Sequence, residues 1–252
     1  RMIGLVVAYL DNLFYPNALE KLSNQLKEKG YHVLIFMASQ TAGNIDEVLH
    51  EIMGYQVDGI VLASVAMSSD LASECQKAGV PVVLFNRSQD DDRLSSVGSN
   101  NVSGGRKIAD FLIAGGHKKI AHIAGWEGAS TQRDRETGFL SGLHSAGIKL
   151  FAREVGNFQI EKAREAAHIL FKNSNYPDAV FVANDHMAIG VMDVLRMELG
   201  LRIPDDVSVI GYDDVSAAEW SAYSLTTVRQ PATQMVEETV SILMDQIENK
   251  AK

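Results

Sequence analysis

The chain has almost nothing from which to build a covalent or metallic framework. Cys75 is the single cysteine among 252 residues, so no disulfide forms within it. It sits in an apolar helical pattern and is expected to be a small core residue, in keeping with a reducing compartment. Under that reading Asn86-Arg87-Ser88 and Asn101-Val102-Ser103 are chance matches to a glycosylation acceptor. No paired cysteines and no H-E-x-x-H point to zinc. No G-x-x-x-x-G-K-[ST] phosphate loop is present, and no G-x-G-x-x-G follows the first apolar run, which argues against a dinucleotide fold. Gly98-Ser99-Asn100-Asn101-Val102 begins like a nucleophile elbow but lacks the second glycine. The seven histidines are scattered, and His117, in Gly115-Gly116-His117-Lys118-Lys119, is expected to make structural hydrogen bonds. No catalytic residue, metal or cofactor is expected.

Positive charge is also scarce. Lys and Arg number 23 against 32 Asp and Glu, a formal charge of −9. So acidic a domain is a poor ligand for DNA phosphates, and any DNA binding by the whole protein must come from another segment. No apolar run approaches the roughly 20 residues a membrane span needs. Residues 1–7 lack the small-residue cleavage site of a signal peptide and read as a first strand. No export signal and no membrane association are expected, and the placement expected is cytoplasmic. With 46% hydrophobic residues, the chain has material for one large domain or two modest lobes.

What is present is an alternation of short apolar runs with helical patterns. Residues 3–8 are apolar throughout, as in a strand buried on both faces. Pro16 suits a first helical turn, Leu19, Leu22 and Leu26 follow at helical spacing, and Gly30 closes the helix. Further strands are expected at residues 31–36, 59–63, 80–85, 119–124, 154–156, 179–183 and 207–212, with a short run at 225–228. Helices are expected between them, including 103–114, 133–146, 160–173, 186–199 and 233–247. Asn44 or Asp46 is expected to cap a helix carrying Val48, Leu49, Ile52 and Met53. Residues 88–96, with Asp90, Asp91 and Asp92, read as a solvated loop. The fold class is α/β, with parallel sheets covered on both faces.

Ligands in open α/β sheets bind at the carboxyl ends of strands. That rule selects Asn12, Phe14 and Tyr15 after the first strand, Asn86 and Arg87 after residues 80–85, and Asn184 and Asp185 after residues 179–183. It also selects Asp213 and Asp214 after residues 207–212, and Gln230 after residues 225–228. Amides, carboxylates, a guanidinium and aromatic rings suit a sugar: planar polar groups bind vicinal hydroxyls in pairs, and rings cover the apolar faces. An acid/base pair of Asp213 and Asp214 is disfavoured, because neighbours on a strand end point to opposite faces.

Four segments carry a family resemblance. Gly116-His117-Lys118-Lys119-Ile120-Ala121-His122-Ile123-Ala124-Gly125, Val182-Ala183-Asn184-Asp185-His186-Met187-Ala188, the run from Ile203-Pro204-Asp205-Asp206 to Gly211-Tyr212-Asp213-Asp214, and Leu225-Thr226-Thr227-Val228-Arg229-Gln230-Pro231 resemble, in order and spacing, the signatures of LacI/GalR transcription regulators.

The resemblance implies two Rossmann-like lobes of the type I periplasmic-binding-protein kind, with an effector held in the cleft between them. One lobe is expected to hold residues 1–98 and 231–252, the other residues 99–230. The helix-turn-helix head of such regulators is expected to be absent from this chain, so DNA would be bound only through that head. A homodimer is implied, with Trp220 at its interface. Asn12, Phe14 and Tyr15 match an N-P-F-F stretch that contacts sugar in related proteins. Asn86 and Arg87 match a usual Asp-Arg pair. Arg135 matches an arginine that reaches ligand oxygens, and Phe158 an aromatic wall. Asn184, Asp213 and Gln230 complete the ring. Local readings compete: Phe14 and Tyr15 as a hydrophobic staple, Asn184 as a helix cap, Phe158 as plain core, Arg135 as a solvated or ion-paired helix residue. Two departures stand out. Asn86 replaces the usual aspartate, and Asn100-Asn101 stands where relatives often carry Asp-Asn. The implied function is effector sensing by a LacI-type repressor, with a small sugar or sugar derivative as effector. The alternative is a periplasmic sugar-binding protein of a transporter.

Overall fold

A computed structural model describes residues 1–38 and 42–250. The chain separates into two compact units, residues 1–99 with 231–252, and residues 100–230.

The first unit carries β1 (Met2–Val7), α1 (Phe14–Glu28), β2 (His32–Met37), α2 (Ala42–Gly54), β3 (Gly59–Ala63), α3 (Ser69–Ala78), β4 (Val82–Phe85), β5 (Ser95–Val97) and, from the end of the chain, α8 (Ala232–Lys250). Its strands form one parallel sheet in the order β2-β1-β3-β4-β5. β3 and β4 are buried along their whole length, which requires the unbroken apolar runs Gly59–Ala63 and Val82–Phe85. α2 begins ahead of Asp46, which therefore lies inside the helix; the side chain of Asn44 lies outside the described residues. Cys75 is buried in the core of this unit, and burial pushes its thiol up to about 11. It is a packing residue, without the thiolate character that reactivity needs.

The second unit carries α4 (Asn101–Ala114), β6 (Ile120–Ala124), α5 (Ser130–Ser145), β7 (Ala152–Val155), α6 (Ile160–Leu170), β8 (Ala179–Val182), α7 (Asp185–Asp193), β9 (Ser208–Asp213) and β10 (Thr226–Arg229). Its sheet is again parallel, in the order β10-β9-β8-β6-β7. In both sheets the order reverses once, between β1 and β3 in the first and between β6 and β8 in the second.

Further details differ from the expectations, and β7, expected over 154–156, spans Ala152–Val155. β5 lies within and just past the polar stretch expected to be loop, because its backbone pairs with β4 whatever its side chains are. The helix expected over 186–199 ends at Asp193 and continues as a π-helical turn, Val194–Glu198. α5 starts three residues early, at Ser130, because its inner face is polar there: Gln132 and Arg135 are buried. His117 does bond locally, its Nδ1 lying 3.2 Å from Asp178 Oδ1, while the other oxygen of Asp178 accepts the Lys118 and Lys119 N–H groups.

α4 and α5 pack backbone to backbone. A Cβ on Gly105 would stand 1.9 Å from the Arg135 carbonyl oxygen, and one on Gly138 would stand 1.9 Å from that of Val102. Only glycine allows this approach. The contact fixes the height of Arg135 over the sheet.

Candidate functional site

Among the described residues, six of the eight non-glycine residues with positive φ stand at or just past the carboxyl ends of strands. They are Ser64 after β3, Asn86 after β4, Asn157 and Phe158 after β7, and Asp213 and Asp214 at the end of β9. Left-handed backbone is unfavourable for such residues and persists where surrounding structure enforces it, commonly at ligand sites. Asn86, Phe158 and Asp213 are candidates already selected on other grounds.

In the first unit, β1 leads to Asn12, whose side-chain oxygen accepts the Phe14 N–H at 3.1 Å and so starts α1. This turn holds Phe14 and Tyr15 inward at the strand ends. The Phe14 ring stacks on Phe85 at 6.3 Å and meets Tyr15 edge-on at 5.4 Å. Asn86 Nδ2 donates to the Tyr15 hydroxyl at 3.1 Å, which joins the β1 and β4 ends. The buried Asn86 Oδ1 has no hydrogen-bond partner within the protein. Arg87 turns back to β3, its Nη2 donating to the Ser64 carbonyl at 2.8 Å and to the Ser64 hydroxyl at 3.0 Å. All five predicted residues of this unit are buried, and Asn12, Phe14, Tyr15 and Asn86 are joined in turn by hydrogen bonds and a ring contact.

In the second unit Arg135 is the hub. Its Nε donates to Asn101 Oδ1 at 2.9 Å, Nη1 to the Ala183 carbonyl at 2.7 Å, and Nη2 to Asp213 Oδ1 at 3.3 Å. The guanidinium carbon lies 3.7 Å from the centroid of the Tyr212 ring, a cation–π contact. Gln230 Nε2 donates to the same Asp213 oxygen at 2.7 Å. Asn184 caps α7, its Oδ1 accepting the Met187 N–H at 3.0 Å. Phe158 is buried, with its ring against Gly125. Arg135, Asp213 and Gln230 therefore form one bonded cluster beside Asn184, and Phe158 follows β7, separated from β8 by β6. Arg135 is neither solvated nor paired with acidic neighbours on its own helix.

Asp213 and Asp214 part company as expected. Asp213 faces the cluster, and Asp214 pairs with Arg229. Behind Asp213 lies Asp185, fully buried, with one oxygen accepting the Thr227 hydroxyl at 2.6 Å and the other the Val215 N–H at 3.0 Å. Burial, then the charge of Asp213, push its carboxyl up to about 7.

Sequence reasoning missed several supporting residues. Ser64 obeys the strand-end rule and was open to detection. Asn101, noted only as a departure from the family pattern, and Tyr212, the last residue of an expected strand, were not assigned to the site, because their contact with Arg135 arises through packing. A second polar network went unseen. His122, in the middle of β6, lies 2.9 Å from the Phe181 carbonyl through Nδ1 and 3.3 Å from Gln132 Nε2 through Nε2. Gln132 also accepts the Gly125 N–H at 2.6 Å and donates to Glu136, which pairs with Arg153. Burial pushes the His122 imidazole down to about 4, so it is neutral, with Nδ1–H the donor. Among the described residues there is no group of three or more acidic, histidine or cysteine side chains able to hold a metal, and no helix long and apolar enough to cross a membrane.

Residues 109–252 match the family model of a periplasmic binding protein-like domain. The HTH-type transcriptional repressor PurR of Vibrio vulnificus is 31% identical over 257 aligned residues, spanning 99% of this chain and 75% of the relative. Among solved structures, a LacI transcriptional regulator from a Rhodococcus species superposes with a TM-score of 0.88 at 28% identity, covering 98% of this chain and 91% of the other. The complex of the transcriptional regulator CelR with cellobiose superposes with a TM-score of 0.88 at 29% identity, covering 99% and 78%. These relatives are regulators of transcription, neither enzymes nor transporter components. The chain belongs to the LacI/GalR family of transcription repressors, as their effector-binding, periplasmic-binding-protein-like domain.

Proposed function

We propose that this domain binds a small sugar or sugar derivative in the interlobe cleft the family resemblance implies. In this reading Asn12, Phe14, Tyr15, Asn86 and Arg87 line it from one lobe (1–98 with 231–252), and Arg135, Phe158, Asn184, Asp213 and Gln230 from the other (99–230). The protein acts as a cytoplasmic homodimer whose DNA contacts are made by a helix-turn-helix head. An effector that binds two conformations unequally shifts their populations, and the head responds to that shift.

The observation that carries the reading is the buried Arg135–Asp213–Gln230 cluster. A guanidinium, a carboxylate and an amide held at fixed spacing at strand ends are the groups that recognise vicinal hydroxyls. The cellobiose complex of the CelR neighbour supports the sugar class. Arg87 and Arg135 also admit an acidic sugar, and Asn86 in place of the usual aspartate removes one negative charge from the lining.

The test is a thermal-shift screen over hexoses, disaccharides, uronates and sugar phosphates, because a ligand that binds only the native state raises its stability. A hit is then titrated by calorimetry against Arg135→Lys, which keeps the charge facing Asp213 and loses the planar fork. A loss of affinity of about tenfold or more is expected. Unchanged affinity removes Arg135 from the site, and no shift with any sugar rejects the sugar class.

A further inference from the structure

Four of the five strands of the second unit lead into a residue of the candidate site: β7 into Phe158, β8 into Asn184, β9 into Asp213 and β10 into Gln230. The fifth, β6, ends at Ala124 and runs into Gly125-Trp126. β6 is flanked by β7 and β8, and the strand order reverses between β6 and β8. The strand ends at such a reversal are where open parallel sheets hold their ligands. Trp126 and Asn184 therefore follow the two strands that flank this reversal.

The turn after β6 holds this indole against backbone. The Ala129 N–H donates to the Trp126 carbonyl at 3.0 Å, closing a turn directly before α5. A Cβ on Gly128 would lie 2.3 Å from Cζ2 of the indole, so the ring rests against backbone there. A Cβ on Gly125 would lie 2.2 Å from Cζ of Phe158. Gly125, directly before Trp126, thus leaves room for the Phe158 ring, and Gly128, two residues after it, leaves room for the indole. Gln132 holds the start of the turn by accepting the Gly125 N–H, on the same helix that carries Arg135. Trp126 is only partly buried, whereas Phe158 is almost wholly so.

We propose that Trp126 is a ligand-contacting ring of the effector site. With Phe158 it forms an aromatic platform that selects a sugar ring presenting an apolar C–H face, while Arg135 and Asp213 take its hydroxyls. This inference rests on the effector reading above.

The chain has two tryptophans, Trp126 and Trp220, so Trp220→Phe leaves Trp126 as the sole indole. The intact domain is titrated with D-glucose, cellobiose, D-glucuronate and D-glucose 6-phosphate, by calorimetry on the wild type and by tryptophan emission on Trp220→Phe. For a sugar that binds, Trp126 emission is expected to change saturably with the calorimetric midpoint. Trp126→Ala is expected to weaken binding by about tenfold, and Trp126→Phe by no more than about threefold. Should Trp126→Ala fail to fold, the emission titration and Trp126→Phe still decide. Calorimetric binding with unchanged Trp126 emission overturns the role of Trp126 and leaves the effector reading standing. Binding by none of the four overturns the sugar platform and counts against the sugar class itself.

Discussion

Arg135 and Asp213 form an ion pair in which both side chains are withdrawn from water, 2% and 3% exposed, with 3.3 Å between Nη2 and Oδ1. Removing one partner leaves the other charge buried without compensation. Asp213→Ala is expected to destabilise the domain by about 3–5 kcal/mol in denaturant unfolding. A loss below about 1 kcal/mol, the range of an exposed pair, would show that water reaches the cluster.

Asp185 makes stability depend on pH. With its folded carboxyl at about 7, the folded chain holds a proton between about pH 4 and 7 that the unfolded chain has released. The associated stabilisation is fully present below about pH 4 and is lost as the pH rises through 7. Relative to wild type, Asp185→Asn is expected to gain stability between pH 5 and about pH 8. The measurement is urea unfolding at both values, and parallel profiles for the two proteins would contradict it.

His122 acts with the opposite sign. Its folded imidazole titrates near 4, below the unfolded value, so its contribution is present above about pH 6.5 and is lost as the pH falls through 4. Its ring resonances are expected to stay those of the neutral Nδ1–H tautomer from about pH 8 to 5.5 in nitrogen-detected NMR. A midpoint near the ordinary histidine value would mean that the Phe181–His122–Gln132 chain is open.

The α4–α5 contact leaves no room for a methyl group. Gly105→Ala drives a carbon into the Arg135 carbonyl and moves the helix that holds the hub. A destabilisation of about 2 kcal/mol or more is expected, together with weakened effector binding. Gly98→Ala, whose Cβ meets nothing within 4 Å, is the control and should change neither.

The proposed homodimer needs an apolar face on each unit. Edge strand β2 exposes Ile35 and Met37 at 55% and 51%, and Trp220 stands 57% exposed beyond β9. Exposed apolar side chains on an unpaired edge are a site for association. Ile35→Lys combined with Trp220→Glu is expected to shift sedimentation velocity from dimer to monomer without loss of secondary structure. A wild-type monomer at micromolar concentration would reject the dimer outright.

The amino-acid sequence by itself determined the alternation of strand and helix. Runs such as Val82–Phe85 and Ala179–Val182 have no polar face and must lie between helices. The strand-end rule then selected Asn12, Asn86, Asn184, Asp213 and Gln230 from the one-dimensional pattern, because parallel connections put every carboxyl end on one edge of a sheet. Ser64 and Trp126 satisfied the same rule at β3 and β6 and stood unmarked, since neither belongs to a charged or amide pair. Only the tertiary structure decided the rest. Hydrophobic periodicity is silent where buried groups are polar, as on the inner face of α5, where Gln132 and Arg135 replace the expected apolar stripe. Pairing partners are equally invisible. Asn101 and Tyr212 meet Arg135 because α4, α5 and β9 pack around it, 34 residues away in one case and 77 in the other. β5 exists because its backbone finds β4, a hydrogen-bonding choice that Ser95 and Ser96 do nothing to announce. Local chemistry chose the elements, and long-range packing chose which of their polar groups share one site.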